Sequence, residues 1–177
     1  MKLAITLFFS YLAVCSSAFA RVVTTEEKGQ RLELENSKTI IEVAPHSKLI
    51  INEGELPESV TLELGLARVH VQKALDAEKK NNQPKFILKT RAATMGVRGT
   101  DFLAIANPVL NEAEIVVFGG NVEFASTTDV RDLKHVPAGT WGGIGGRFGK
   151  TTHDLIALSR TAILYFDKIS TVKELEQ

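Results

Sequence analysis

The chain has 177 residues, with 21 basic and 21 acidic side chains. A formal charge of zero excludes the strongly basic footprint of a nucleic-acid binder and the acidic composition of a disordered tail. Apolar residues make up 44%, enough for a packed core, and a single cysteine excludes a disulfide framework.

The N-terminus reads as an export signal. Met1-Lys2 is followed by an apolar run from Leu3 to Val14, and the segment closes Ser16-Ser17-Ala18-Phe19-Ala20. A cationic start, a short apolar stretch and a small-x-small end are the parts of a secretory signal peptide. Residues 1–20 are therefore expected to be removed, with Arg21 leading the mature chain. An uncleaved anchor is the alternative, but Ser10, Ser16 and Ser17 interrupt the apolar run. Leu12-Ala13-Val14-Cys15 has the outline of a lipidation site, yet Val14 is too large for the position before the cysteine. Cleavage leaves a mature chain without cysteine, which fits export and removes thiol chemistry. Only Lys2 is charged in the segment, so 20 basic and 21 acidic residues remain. No second long apolar run follows, which predicts a soluble mature protein with no membrane span.

Strand patterns dominate residues 21–140. Arg31 to Glu35, Val60 to Leu64 and Ala67 to Val71 alternate with period two, placing apolar side chains on one face. Thr39 to Val43 and Lys48 to Ile51 are short and β-branched, with Pro45 and Asn52-Glu53-Gly54 as turns. Ala74 to Pro84 is polar and reads as an exposed connection. Lys85 to Thr90, Thr100 to Ala106, Glu114 to Phe118 and Asn121 to Phe124 read as further strands. Gly119-Gly120 suggests a tight hairpin between the last two. Short strands at spacings near ten residues predict an all-β sandwich or a short-stranded β-solenoid. Phe86, Phe102 and Phe118 recur every sixteen residues, as stacked aromatics of successive solenoid rungs would.

Residues 141–152 are glycine-rich and read as a flexible linker. Residues 153–177 change period. Leu155, Leu158, Ala162, Tyr165, Phe166, Ile169 and Val172 fall at helical spacing, and Thr151 with Asp154 resembles a capping box. A C-terminal helix from about His153 to Leu175 is expected, its apolar stripe packed on the β domain.

The most specific block is Phe86-Ile87-Leu88-Lys89-Thr90-Arg91-Ala92-Ala93-Thr94-Met95-Gly96-Val97-Arg98-Gly99-Thr100-Asp101-Phe102. It resembles the core of the FecR domain family, in which a strand ending in threonine leads through small residues to Val-Arg-Gly-Thr and an aromatic strand. Leu64-Gly65-Leu66-Ala67-Arg68-Val69 is similar to that family's upstream Gly-x-x-Arg-Val strand. Ile115 to Val122 and Ala138-Gly139-Thr140 are similar to its downstream strands and closing turn. The likeness runs from Leu62 to Thr140, about half of the mature chain. Two departures stand out. Many relatives carry proline where Arg91 stands, and the loop from Ala74 to Pro84 is longer than usual. The resemblance implies a FecR-type β domain that binds another macromolecule. Well-known relatives are transmembrane regulators of sigma factors. This chain's one apolar run has only two residues before it, so their cytoplasmic part and span are not expected here.

Within the block, Gly96, Val97, Arg98, Gly99, Thr100, Asp101 and Phe102 read as a structural motif. Glycines three apart allow a compact turn. The guanidinium of Arg98 has five donors in a fixed fork, suited to bonding turn carbonyls or pairing with Asp101.

Catalytic and cofactor chemistry finds no matching pattern. A phosphate-binding loop before Gly149-Lys150-Thr151 needs glycine where Ile144 stands, and a dinucleotide fingerprint from Gly143 needs it at Phe148. His46, His70, His135 and His153 lack metal-ligand spacing, and no Gly-x-Ser-x-Gly elbow exists. The chain is thus expected to be no enzyme and to hold no cofactor or metal. A candidate binding face comprises Arg68 and His70 on one strand, with Trp141. Three functions follow. The first is a periplasmic or secreted non-catalytic module that binds an envelope protein. The second is a cell-wall glycan binder or hydrolase, stacking sugar on Trp141 and Tyr165. The third is an envelope component that self-associates.

Overall fold

A computed structural model describes residues 20–52, 57–73, 84–146 and 149–171. The expected export segment through Phe19, with Cys15, and most of the connection at 74–83 lie outside these residues. Among the described residues the chain is all-β with one C-terminal helix.

Four short strands open it: β1 (Ala20–Thr24), β2 (Gln30–Leu34), β3 (Thr39–Val43) and β4 (Lys48–Asn52). The long β5 (Glu58–Val71) follows, then β6 (Phe86–Lys89), β7 (Ala93–Val97), β8 (Asp101–Asn107), β9 (Glu112–Gly119) and β10 (Asn121–Ser126). Last come β11 (Leu133–Pro137), β12 (Thr140–Ile144), β13 (Ile156–Ala157) and helix α1 (Arg160–Ser170).

All strands belong to one curled sheet whose two halves share β5. The residues read as two separate strands, Val60 to Leu64 and Ala67 to Val71, are one strand bent at Gly65. Its first part pairs with β4 and β6 in a half ordered β11-β10-β7-β6-β5-β4-β1. Its second part pairs with β3 and β8 in a half ordered β2-β3-β5-β8-β9-β12-β13. Gly65 has φ +94, and a Cβ there would strike Ser47. Ser47 Oγ accepts from Leu66 N at 3.1 Å, and Thr25 Oγ1 accepts from Ser47 N at 2.9 Å. Glycine is needed at the bend, and buried hydroxyls pin it.

The inner faces meet around one core. Phe86, Phe102, Phe124, Ile41, Leu62, Leu88, Met95 and Ile115 are fully buried there. Alternation makes this possible: β3 and β7 bury every second residue. Neighbouring strands are antiparallel except the β5–β6 pair, so the architecture is a curled sandwich and not a solenoid of parallel rungs. The sixteen-residue phenylalanine period marks no rungs. Phe86 and Phe102 lie in the core from opposite halves, whereas Phe118 faces outward.

Of the motif's two glycines, Gly96 lies within β7 and Gly99 serves a crossing between the halves. The turn from β7 to β8 carries Gly99 (φ +72), where a Cβ would lie 2.8 Å from Lys73 Cα. Gly119-Gly120 is not a hairpin: β9 pairs with β8 and β12, and β10 with β7 and β11. Gly120 (φ +83) carries the chain across instead, close against Thr100 and Gly99. Ala138-Gly139 is the third crossing, with Gly139 N donating to Val117 O at 2.7 Å and Ala138 N to Gly120 O at 3.0 Å. The crossings at Gly99, Gly120 and Gly139 pack together at one end.

The stretch read as a flexible linker is largely ordered structure. Thr140–Ile144 forms β12, central between β9 and β13. Asp132 accepts from Thr152 N and Oγ1, and Lys134 donates to His153 O, so residues 152–153 are tied to the approach to β11. The helix starts seven residues later than expected. Its cap is Ser159, whose hydroxyl accepts from Ala162 N, and not Thr151.

Candidate functional site

The expected binding face centres on Arg68. Along the second part of β5, Ala67, Val69 and Val71 point into the core, so Arg68 and His70 point outward. Register places His70 opposite Asp101 and Arg68 opposite Leu103 on β8. A bulge between Asp101 and Phe102 relieves the ladder with β9 just there.

Arg68 makes a two-bond fork to Asp101, Nε to Oδ1 at 3.0 Å and Nη2 to Oδ2 at 3.0 Å. Its Nη1 donates to Asp167 Oδ1 at 2.7 Å and to Thr171 Oγ1 at 3.1 Å. The guanidinium carbon lies 4.5 Å from the centre of the Phe118 ring. The Asp101 hydrogen bonds hold Arg68 still further above its ordinary pKa, against an opposing effect of burial, and Asp167 adds to this. The charge is therefore permanent, and its strongest partners are the protein's own carboxylates. His70 is exposed, its Nδ1 at 4.0 Å from Asp101 Oδ2.

The fork that the sequence offered to Arg98 and Asp101 is thus made by Arg68 and Asp101. Arg98 is half-buried in the turn after β7 and lines a separate polar cleft of about 420 Å³ with Glu123 and His135. Val97 and Phe102 are core residues, Gly96 lies against Pro84, and Thr100 O accepts from Val71 N at 2.8 Å.

Asp167, Thr171 and Phe118 were not foreseen. On α1, Ile163, Phe166 and Ser170 share a stripe with Asp167, facing the sheet. A carboxylate inside an apolar helical stripe was the signal that such a partner exists. Under this helix Leu103 and Val116 are fully buried although they point away from the main core. The outer face of one half-sheet is therefore a second, smaller core that α1 covers.

Trp141 shares the outer face but stands three strands from Arg68, about 14 Å away by strand spacing. Its Nε1 donates to Glu114 Oε2 at 2.9 Å, and its ring meets His153 edge-on at 6.1 Å. The ring partner of Tyr165 is Phe166. The structure unites Arg68 and His70 and leaves Trp141 apart. Among the described residues no three His, Cys, Asp or Glu side chains converge on a metal-sized site, and no helix is long and apolar enough to cross a membrane.

The profile of the FecR protein family matches residues 20–123, from β1 into β10. No curated protein matches the sequence. Two crystal structures of a "putative anti-sigma factor" from Parabacteroides distasonis share the fold. One has a TM-score of 0.65 at 15% identity, over 82% of this chain and 64% of that one. The other has a TM-score of 0.61 at 14% identity, over 78% and 59%. This chain thus spans less than two thirds of either neighbour.

Proposed function

The chain belongs to the FecR family, and from this we propose that it is an exported, non-catalytic binding module with a regulatory or signalling role in the cell envelope. The observation that carries the reading is the family match, which runs from β1 into β10. The likeness to chains named as anti-sigma factors is in keeping with a regulatory role. Export is supported by the signal-like residues 1–20, at whose last residue the matched region begins. A periplasmic or secreted location follows from the same segment.

The Arg68 cluster bears on mechanism. Its guanidinium is committed to Asp101, Asp167 and Thr171, so it acts as a clamp and not as a bound substrate's anchor. A glycan reading is weakened because Trp141 is engaged by Glu114 and His153.

The test is crosslinking of the tagged protein in the living envelope, followed by mass spectrometry. One envelope protein recovered in stoichiometric amount is expected. Recovery of wall fragments alone, or of this chain alone, would overturn the reading in favour of glycan binding or self-assembly.

A further inference from the structure

At the bend of β5 the sheet opens. The ladder with β6 ends at Thr61–Lys89, and the ladder with β8 begins at Gly65–Ala106. Leu62 to Leu64 fall between the two. A cleft of about 520 Å³ opens at this place, walled by Thr61, Glu63, Leu64, Thr90, Arg91 and Pro108. That volume lies within the ordinary range of ligand sites.

The walls have a definite chemistry. Leu64 is 45% exposed, and the turn after Pro108 carries Val109 at 90% and Leu110 at 54%. Lys48 at the rim pairs with Glu63 at 2.7 Å, which cancels both charges. Arg91 is left as the net cation. Its Nη1 donates to Pro108 O at 3.2 Å, and among the described residues its Nε and Nη2 have no hydrogen-bond partner. Its backbone is held: Thr127 Oγ1 donates to Arg91 O at 2.9 Å, and Thr90 Oγ1 accepts from Ala92 N and Ala93 N. A positioned guanidinium with donors to spare is a carboxylate receptor.

We propose that this cleft is a subsite for an extended segment of a partner protein that presents a carboxylate beside an aliphatic side chain. The carboxylate meets Arg91, the aliphatic group lies against Leu64 and Pro108, and the segment's backbone runs along Leu62 to Leu64. The proposal rests on the binding-module reading and adds the place and chemistry of contact.

The probe is the pair acetyl-Leu-Val-Asp-Leu-Gly-amide and its Asn counterpart, titrated into the isotope-labelled protein by NMR. Shifts of the Leu62 to Leu64 and Arg91 to Ala92 amides are expected, with the Asp peptide binding at least about fivefold more tightly. Arg91→Gln, a surface change checked by unchanged Tm, is expected to bring the two peptides to one affinity. Equal affinities on the native protein, shifts confined to another face, or binding of laurate but of neither peptide would each overturn the subsite. In the envelope, a photoreactive amino acid replaces the exposed Val109 beside the cleft or, separately, Tyr165. A partner captured from position 165 but not from 109 overturns the subsite and leaves the module reading intact. Capture from neither position, with the Asp peptide still binding at the cleft, supports the subsite and counts against the module reading.

Discussion

Arg68 shows how one side chain can join two layers. It is 17% exposed and spends its donors on β8 and α1 together. Arg68→Lys keeps the charge but loses the fork, and a stability loss of about 2 kcal/mol is expected in chemical denaturation. Wild-type stability in that variant would show that the fork contributes nothing. Glycines give a second test. At Gly145 (φ +85) a Cβ would collide with Asn111 O, whereas at Gly149 (φ +83) it meets nothing within 4 Å. Gly149→Ala should cost only the backbone strain, about 1 kcal/mol. Gly145→Ala should cost clearly more, because the clash is with backbone. Similar losses in both would refute the close approach. Asp129 offers a third. Side-chain and backbone hydrogen bonds from Arg131 hold its carboxyl below the usual range. A lowered folded pKa favours the fold above the unfolded value and loses that favour as pH falls. In Arg131→Ala, the carboxyl should titrate higher by NMR, though the backbone bond remains.

Among elements, α1 is tied to the sheet through Arg68, which donates to Asp167 and Thr171. It is capped by Ser159, and Ser159→Ala should destabilise it by about 1 kcal/mol. Hydrogen exchange should then accelerate in α1 while strands around Phe102 and Ile115 stay protected. Truncation before Arg160 uncovers Leu103 and Val116, each worth about 1.5–3 kcal/mol of burial. The truncated chain should retain its β signal yet self-associate in sedimentation. A monodisperse truncated monomer would mean that this face does not need the helix. β12 shows a different lesson. Thr-Trp-Gly-Gly-Ile reads as loop by composition, yet it is a central strand. Gly142 explains why, since a Cβ there would press on Leu155 and Ile115 at 3.2 and 3.4 Å. The glycine is kept for close packing and not for flexibility. β7 was hidden for a like reason, with Gly96 in its middle held close against Pro84.

At the scale of the molecule, one half-sheet is covered outside by α1, and the curl leaves β1 and β2 as edges on one side. Edge strands invite pairing with another chain, which is how self-association would arise. Sedimentation of the full protein separates the readings. Concentration-independent monomers are expected if the protein is a binding module, and steady growth with concentration would favour an assembling component.

Much of this was legible from residues alone. Alternation and β-branched runs gave β2 to β4, β6 and β8 to β10 within one or two residues, and gave β5 as two strands, because a half-buried strand writes its two faces into the chain. The all-β class, the terminal helix and the family likeness were likewise available before any fold. What the sequence could not assign was partnership. Asp101 stood three residues from Arg98, yet it bonds Arg68, thirty-three residues away. Gly119-Gly120 looked like a hairpin, yet it joins opposite halves of the sheet. Local patterns set which face a side chain takes, since periodicity acts over a few residues. Which strands become neighbours depends on burying all faces at once, and only the closed sheet, with α1 laid across it, decides that.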